Sequence, residues 1–134
     1  MGGVPLRRVH LHAIPTNECW CRDHGPAFVL RTHRGTPQAA IVDWRFNAWG
    51  GKYPPWNADD DVPTRIAEEW RLPVSYPGIV MEGGAVEFNG AGTVLTTKSC
   101  LLNRNRNPGL SKAEVVDVAV GVVAGDAVVE PEHV

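Results

Sequence analysis

Cysteine is scarce in this chain, with three residues in 134, an odd number without a scaffold-like spacing. That excludes a disulfide framework and fits a reducing compartment, so a cytoplasmic location is expected. Cys19 and Cys21 form a C-x-C pair, short of the spacing of common zinc sites, and no second pair follows. No apolar run approaches the roughly 20 residues needed to cross a bilayer. The first residues also lack the apolar core of a secretory signal. Neither sign of charge dominates: 13 basic and 15 acidic residues leave a formal charge of −2. The basic residues are scattered, with Arg104 and Arg106 the nearest thing to a cluster, so neither nucleic acid nor a membrane surface is an expected partner. What remains, an apolar fraction of 43% and a charged fraction of 21%, is ordinary for a soluble globular protein. The length fits one domain, typically roughly 100–200 residues.

Against this plain background, three segments stand out. Thr16-Asn17-Glu18-Cys19-Trp20-Cys21-Arg22-Asp23-His24-Gly25-Pro26 joins an indole and a carboxylate to a Gly-Pro turn. Asp43-Trp44-Arg45-Phe46-Asn47-Ala48-Trp49-Gly50-Gly51 is an aromatic, glycine-ended loop, and Met81-Glu82-Gly83-Gly84 sets a carboxylate before two glycines. Carboxylates and aromatic faces presented together on loops suit a flat cation such as a guanidinium. Carboxylate oxygens match its N–H fork, and an indole face attracts its delocalised charge.

Periodicity supplies a coarse secondary structure. Val9, Leu11 and Ala13 alternate with His10 and His12, which predicts a half-buried first strand. Ala27–Leu30 and Ala39–Val42 predict two more strands, separated by turn chemistry at His33–Pro37. A long loop from Trp44 to about Asn57 holds five aromatic residues, too many for disorder, and loops of that length usually serve a function. Asp59-Asp60-Asp61 before Pro63 reads as a helix start, with Val62, Ile66, Ala67 and Trp70 on one face and Leu72-Pro73 as the stop. Val86–Phe88 and Val94–Thr96 flank Asn89-Gly90-Ala91-Gly92, a hairpin signal. Ser111 and Glu114 form a capping box opening a last helix. That helix is dense in valine, carries Gly121 and lacks a clean polar stripe. Val128–Val134 reads as a short tail.

The motifs WxRDxGP, WxFNAWGG and EGG, in that order, resemble the agmatine deiminase family, which is related to the bacterial peptidyl-arginine deiminases. The likeness runs from about Ile14 to about Glu114 and includes Leu95-Thr96-Thr97, Cys100-Leu101-Leu102-Asn103 and Asn107-Pro108, leaving 115–134 as a divergent tail. It implies an α/β (α+β) fold, a partial pentein α/β-propeller with about two ββαβ-type modules, as one partial domain over 1–134. It implies an amidine hydrolase that turns agmatine and water into N-carbamoylputrescine and ammonia, a step toward putrescine, with no metal or organic cofactor. In the complete family enzyme a thiolate attacks the guanidinium carbon and a histidine moves the proton. Neither that cysteine nor the His-x-Asp element is found here, so the chain is expected to be the front part of a longer catalytic domain. A second polypeptide completing the fold, or a homo-oligomer, is the expected partner besides the guanidino substrate. A peptidyl-arginine deiminase or a non-catalytic guanidino-binding piece are the rival readings.

Carried over position by position, the resemblance gives catalytic roles to Asp23 and Glu82, which would hold the guanidinium. It makes Trp20 a wall of the substrate pocket, with Asn47, Trp44 and Trp49 as further substrate-binding residues. Each has a plainer reading. Asp23 alone would suit an Asx-turn or an ion pair with Arg22, Glu82 a surface turn, and the tryptophans core packing. Asn17-Glu18 fills a place where the family usually carries Asn-Asp. The extra methylene at Glu18 moves a carboxylate by about 1.5 Å. The resemblance makes Cys19 and Cys21 fillers and Cys100 a buried residue, and none of the three a nucleophile.

Overall fold

The structure, a computed structural model, describes residues 4–33 and 35–124. The expected tail at Val128–Val134 lies outside them. Strands β1 (Ala27–His33) and β2 (Thr36–Val42) pair antiparallel, Ala27 opposite Val42 and His33 opposite Thr36. Gly35 supplies the positive φ of 79° in the turn between them. Strand β2 becomes buried along its length, from exposed Thr36 to sealed Ile41 and Val42. The chain then crosses through three helical segments, α2 (Ala48–Gly51), α3 (Asn57–Asp60) and α4 (Val62–Trp70), to β3 (Val74–Ser75). Strand β3 lies parallel to β2, Ile41 opposite Val74. This is a ββαβ unit. Helix α4 buries Val62, Pro63 and Ala67 and ends where Arg71 turns left-handed at φ 54°. The Leu72 N–H then returns to the Ala67 carbonyl at 2.9 Å, closing the helix just before Leu72-Pro73.

A second unit begins with β4 (Val86–Phe88) and β5 (Val94–Thr96), an antiparallel hairpin. Asn89 folds its tip, its Oδ1 accepting from the Ala91 and Thr93 N–H groups at 2.9 and 3.0 Å. After α5 (Lys98–Leu101) comes α6 (Lys112–Ala124). The capping box forms: Glu114 accepts from the Ser111 N–H at 2.7 Å, and Ser111 Oγ from the Glu114 N–H at 3.3 Å. One core joins the two units, with Val42 and Trp44 of the first packed with Met81, Val86, Leu101, Val115 and Ala119. Helix α6 therefore has a buried face at Val115, Ala119 and Val122, while Val116 and Val120 remain about half exposed. Valine on both faces is why no polar stripe is legible there.

The expected first strand over Val9–Ala13 is absent. Alternation makes a strand only if one face finds cover, and Leu11 is 92% exposed. The segment instead crosses the end of α4, with His12 2.6 Å from Glu69 and edge-on to the Trp70 ring. The acids at 59–61 also do other work than capping α4, whose start shows no side-chain cap. Asp59 accepts from the backbone N–H groups of Asn17 and Glu18 at 2.7 and 3.1 Å, and Asp60 from that of Phe46. They are braces for the two motif loops.

Asp43, just past β2, is buried, and burial pushes its carboxyl up to about 6. The Thr64 hydroxyl donates to it at 2.6 Å and opposes that rise, while Asp60 and Asp61 add to it. The folded state therefore holds this proton more tightly than the unfolded chain. Between about pH 4 and 6 stability should fall as pH rises, by on the order of 1–2 kcal/mol. Urea midpoints across that window measure the slope, and Asp43→Asn should remove this residue's share of it.

Candidate functional site

The first motif folds as a single helical turn, α1 (Cys21–His24). The Asp23 N–H returns to the Trp20 carbonyl at 2.8 Å, and the Gly25 N–H to that of Cys21 at 2.9 Å. A Cβ on Gly25 would lie 2.4 Å from that Cys21 oxygen, so the turn requires glycine. Helical winding puts residues three apart on one side. Trp20 and Asp23 accordingly line the same open cleft, of about 430 Å³, with Glu18, Trp49 and Tyr53. Trp20 is 57% exposed, so its ring face is available to a ligand.

Three motifs meet at Asp23. Its Oδ2 accepts from the Trp49 indole N–H at 3.2 Å, and its Oδ1 from the Gly84 N–H at 3.0 Å. Arg22 pairs with Glu87 at 2.6 Å instead, which removes the Arg22–Asp23 ion pair as an explanation. The two glycines after Glu82 permit this contact. A Cβ on Gly83 would sit 2.2 Å from the Arg22 carbonyl oxygen, and one on Gly84 2.2 Å from Asp23 Oδ1.

Glu82 is 3% exposed and lies outside the lining of the cleft. Its Oε1 accepts from Arg106 Nε at 2.5 Å, and its Oε2 is buried without a partner among the described residues. Arg106 also donates through Nη1 to Asn105 Oδ1 at 2.8 Å. The NAWGG loop clamps this pair from outside. Asn47 donates to the Asn105 carbonyl at 2.9 Å, and its Oδ1 accepts from the Gly50 N–H at 2.9 Å. Gly50, at φ 88°, leaves the room that Asn105 and Arg106 fill, since a Cβ there would lie 2.2 Å from Asn105 Nδ2.

The sequence-derived candidates thus separate. Asp23, Trp20 and Trp49 share the cleft; Asn47 braces a loop rather than walling it. Trp44 belongs to the core and lines a second cavity, about 300 Å³, behind Asp23 and Gly83. Its indole followed Val42 and Asp43 off a buried strand end, and packing claimed it. Tyr53, Asp59 and Arg106 were missed. Tyr53 stacks edge-on to Trp49, and Arg106 carries no local signal because its partner lies 24 positions away. Cys19 and Cys21 are exposed and Cys100 is half-buried, all as free thiols. Among the described residues no three His, Cys, Asp or Glu side chains are placed to hold a metal ion. No described helix is long and apolar enough to cross a membrane.

Comparison with known proteins bears on this geometry. Residues 3–124 match the profile of the Porphyromonas-type peptidyl-arginine deiminase family. The chain belongs to that family. It is 43% identical over 121 residues to the agmatine deiminase of Pseudomonas putida KT2440, covering 87% of this chain and 32% of the relative. Among solved structures, an agmatine deiminase of Enterococcus faecalis superposes with a TM-score of 0.71 at 42% identity, covering 78% of this chain and 29% of its own. A C. jejuni agmatine deiminase with substrate bound gives a TM-score of 0.73 at 32% identity, covering 89% and 34%. The partial α/β fold is therefore that of the deiminase family. The chain spans about one third of the length of the curated relatives it matches.

Proposed function

We propose that this chain carries the guanidinium-gripping part of an agmatine deiminase-type amidine hydrolase, whose reaction converts agmatine and water into N-carbamoylputrescine and ammonia. The observation that carries the reading is the junction at Asp23, where the indole of Trp49 and the backbone of Gly84 hold one carboxylate at the floor of an aromatic cleft. An ionised carboxylate has about four acceptor positions, so two remain for guanidinium N–H groups. Trp20 offers its face to the same cation. Glu82, buried outside the cleft lining with one oxygen bare, is proposed as the second acid on its place in the EGG motif. These groups position and polarise a guanidinium.

Covalent attack and proton transfer need a thiolate and a histidine, and neither the family's cysteine segment nor its His-x-Asp element is found in this sequence. Alone, the chain is proposed to bind without turning substrate over. Modules carrying those groups, supplied by other polypeptide, would cover its exposed Phe28, Leu30, Leu95, Val116 and Val120. A peptidyl-arginine substrate is the second reading, supported by the description of the matching family. Titration calorimetry of the full chain with agmatine should show saturable binding that Asp23→Asn weakens at least tenfold, with no ammonia released. Robust ammonia release blocked by thiol alkylation would overturn the proposed division of labour.

A further inference from the structure

We infer that Glu18 is a specificity-determining residue of this cleft, favouring guanidino ligands whose far end carries a second positive charge and disfavouring those that end in a carboxylate. The inference rests on the guanidinium-binding reading of Asp23. The cleft is lined by Glu18, Trp20, Asp23, Trp49 and Tyr53, two acids and three aromatic residues without a basic group. A ligand with one positive charge neutralises only one of those acids. Asp23 is the more committed of the two, already accepting two hydrogen bonds. The Glu18 carboxylate makes no hydrogen bond or ion pair among the described residues.

Its backbone, by contrast, is firmly held. The Glu18 N–H donates to Asp59 Oδ1 at 3.1 Å and the neighbouring Asn17 N–H to the same oxygen at 2.7 Å. Asn17 Oδ1 in turn accepts from the Ala58 N–H at 2.9 Å, and the Glu18 carbonyl lies 3.3 Å from His24 Nε2. Asp59 and His24 have fully buried side chains, 3.8 Å apart. The anchored main chain fixes where the Glu18 carboxylate can reach in the cleft, so only its side-chain rotamers remain to be ordered on binding. A primary ammonium at the end of a short alkyl chain would give Glu18 the partner it lacks. A carboxylate at that end would place a third negative charge in the cleft, and like-charge juxtaposition is how a site rejects a wrong ligand.

The decisive experiment compares three guanidines of similar length on the full chain by titration calorimetry: agmatine, n-butylguanidine and 4-guanidinobutyrate. Wild type should bind agmatine about tenfold more tightly than n-butylguanidine, with 4-guanidinobutyrate weakest and the spread narrowing as salt is raised. Glu18→Gln should compress the agmatine-to-butylguanidine ratio to about twofold, whereas Glu18→Asp should preserve the ranking. Thermal unfolding of each variant checks that the fold is intact. Equal weakening of all three ligands by Glu18→Gln, or an unchanged ranking, would overturn the assignment while leaving Asp23 as the guanidinium acceptor. Absence of binding by wild type to any of the three would instead overturn the guanidinium-binding reading and this inference with it.

Discussion

Arg106→Met is expected to cost this chain about 3–5 kcal/mol, because it leaves the buried Glu82 carboxylate with no counter-charge. The two side chains are 8% and 3% exposed and meet through Arg106 Nε, so water offers little compensation. Natural domains are stable by only about 5–15 kcal/mol. A loss of that size should move the urea midpoint far to the left or unfold the chain outright. Arg106→Lys should recover only part of the loss. A lysine supplies the charge, but it cannot serve Glu82 and Asn105 at once from a planar fork. Adding Glu82→Gln to Arg106→Met should restore stability relative to the single variant, since it removes the stranded charge. That restoration separates an electrostatic cost from a packing cost. A midpoint for Arg106→Met within experimental error of wild type would show that the pair contributes nothing.

Features set by neighbours in sequence were legible beforehand, and those set by distant partners were not. The Asn89–Gly92 hairpin and the Ser111/Glu114 box close within a few residues, so their composition determines them. The helix from Val62 to Trp70 and its stop before Pro73 are equally local. The segment at Val9–Ala13 has the right alternation but no sheet beside it, and periodicity alone cannot supply a neighbour. Asp59 looked like a dipole-stabilising acid near a helix start. Its actual partners, Asn17 and Glu18, lie some 40 positions earlier in the chain, where no spacing rule reaches. The same limit applies to the cleft. Asp23 and Trp20 stood out because a motif carries them together, whereas Tyr53 enters only because Trp49 turns its ring toward it. Trp44 and Trp49 looked equivalent in one aromatic loop. The strand end drew the first into the core, and positive φ at Trp49 swung the second toward Asp23.

Ligand binding should be more sensitive to Gly84 than its featureless side would suggest. In Gly84→Ala the new Cβ would lie 2.2 Å from Asp23 Oδ1, the far end of a side chain that is able to rotate. Asp23 should therefore swing away, surrendering the Gly84 N–H and loosening its hold on Trp49. The stability cost should stay near 1 kcal/mol, the net worth of one hydrogen bond, while agmatine affinity should fall tenfold or more. Gly83→Ala poses a different problem, since its Cβ would meet the Arg22 backbone oxygen at 2.2 Å. No rotamer relieves that contact. The Gly83–Ala85 turn and the α1 turn must separate, at about 1–3 kcal/mol for forced repacking, and binding should be lost with it. Gly109→Ala serves as the control, having open space around its Cβ, and should change neither quantity appreciably. If Gly84→Ala bound agmatine like wild type, the Asp23–Gly84 contact would be ornamental, and the EGG segment would owe its glycines to backbone packing alone.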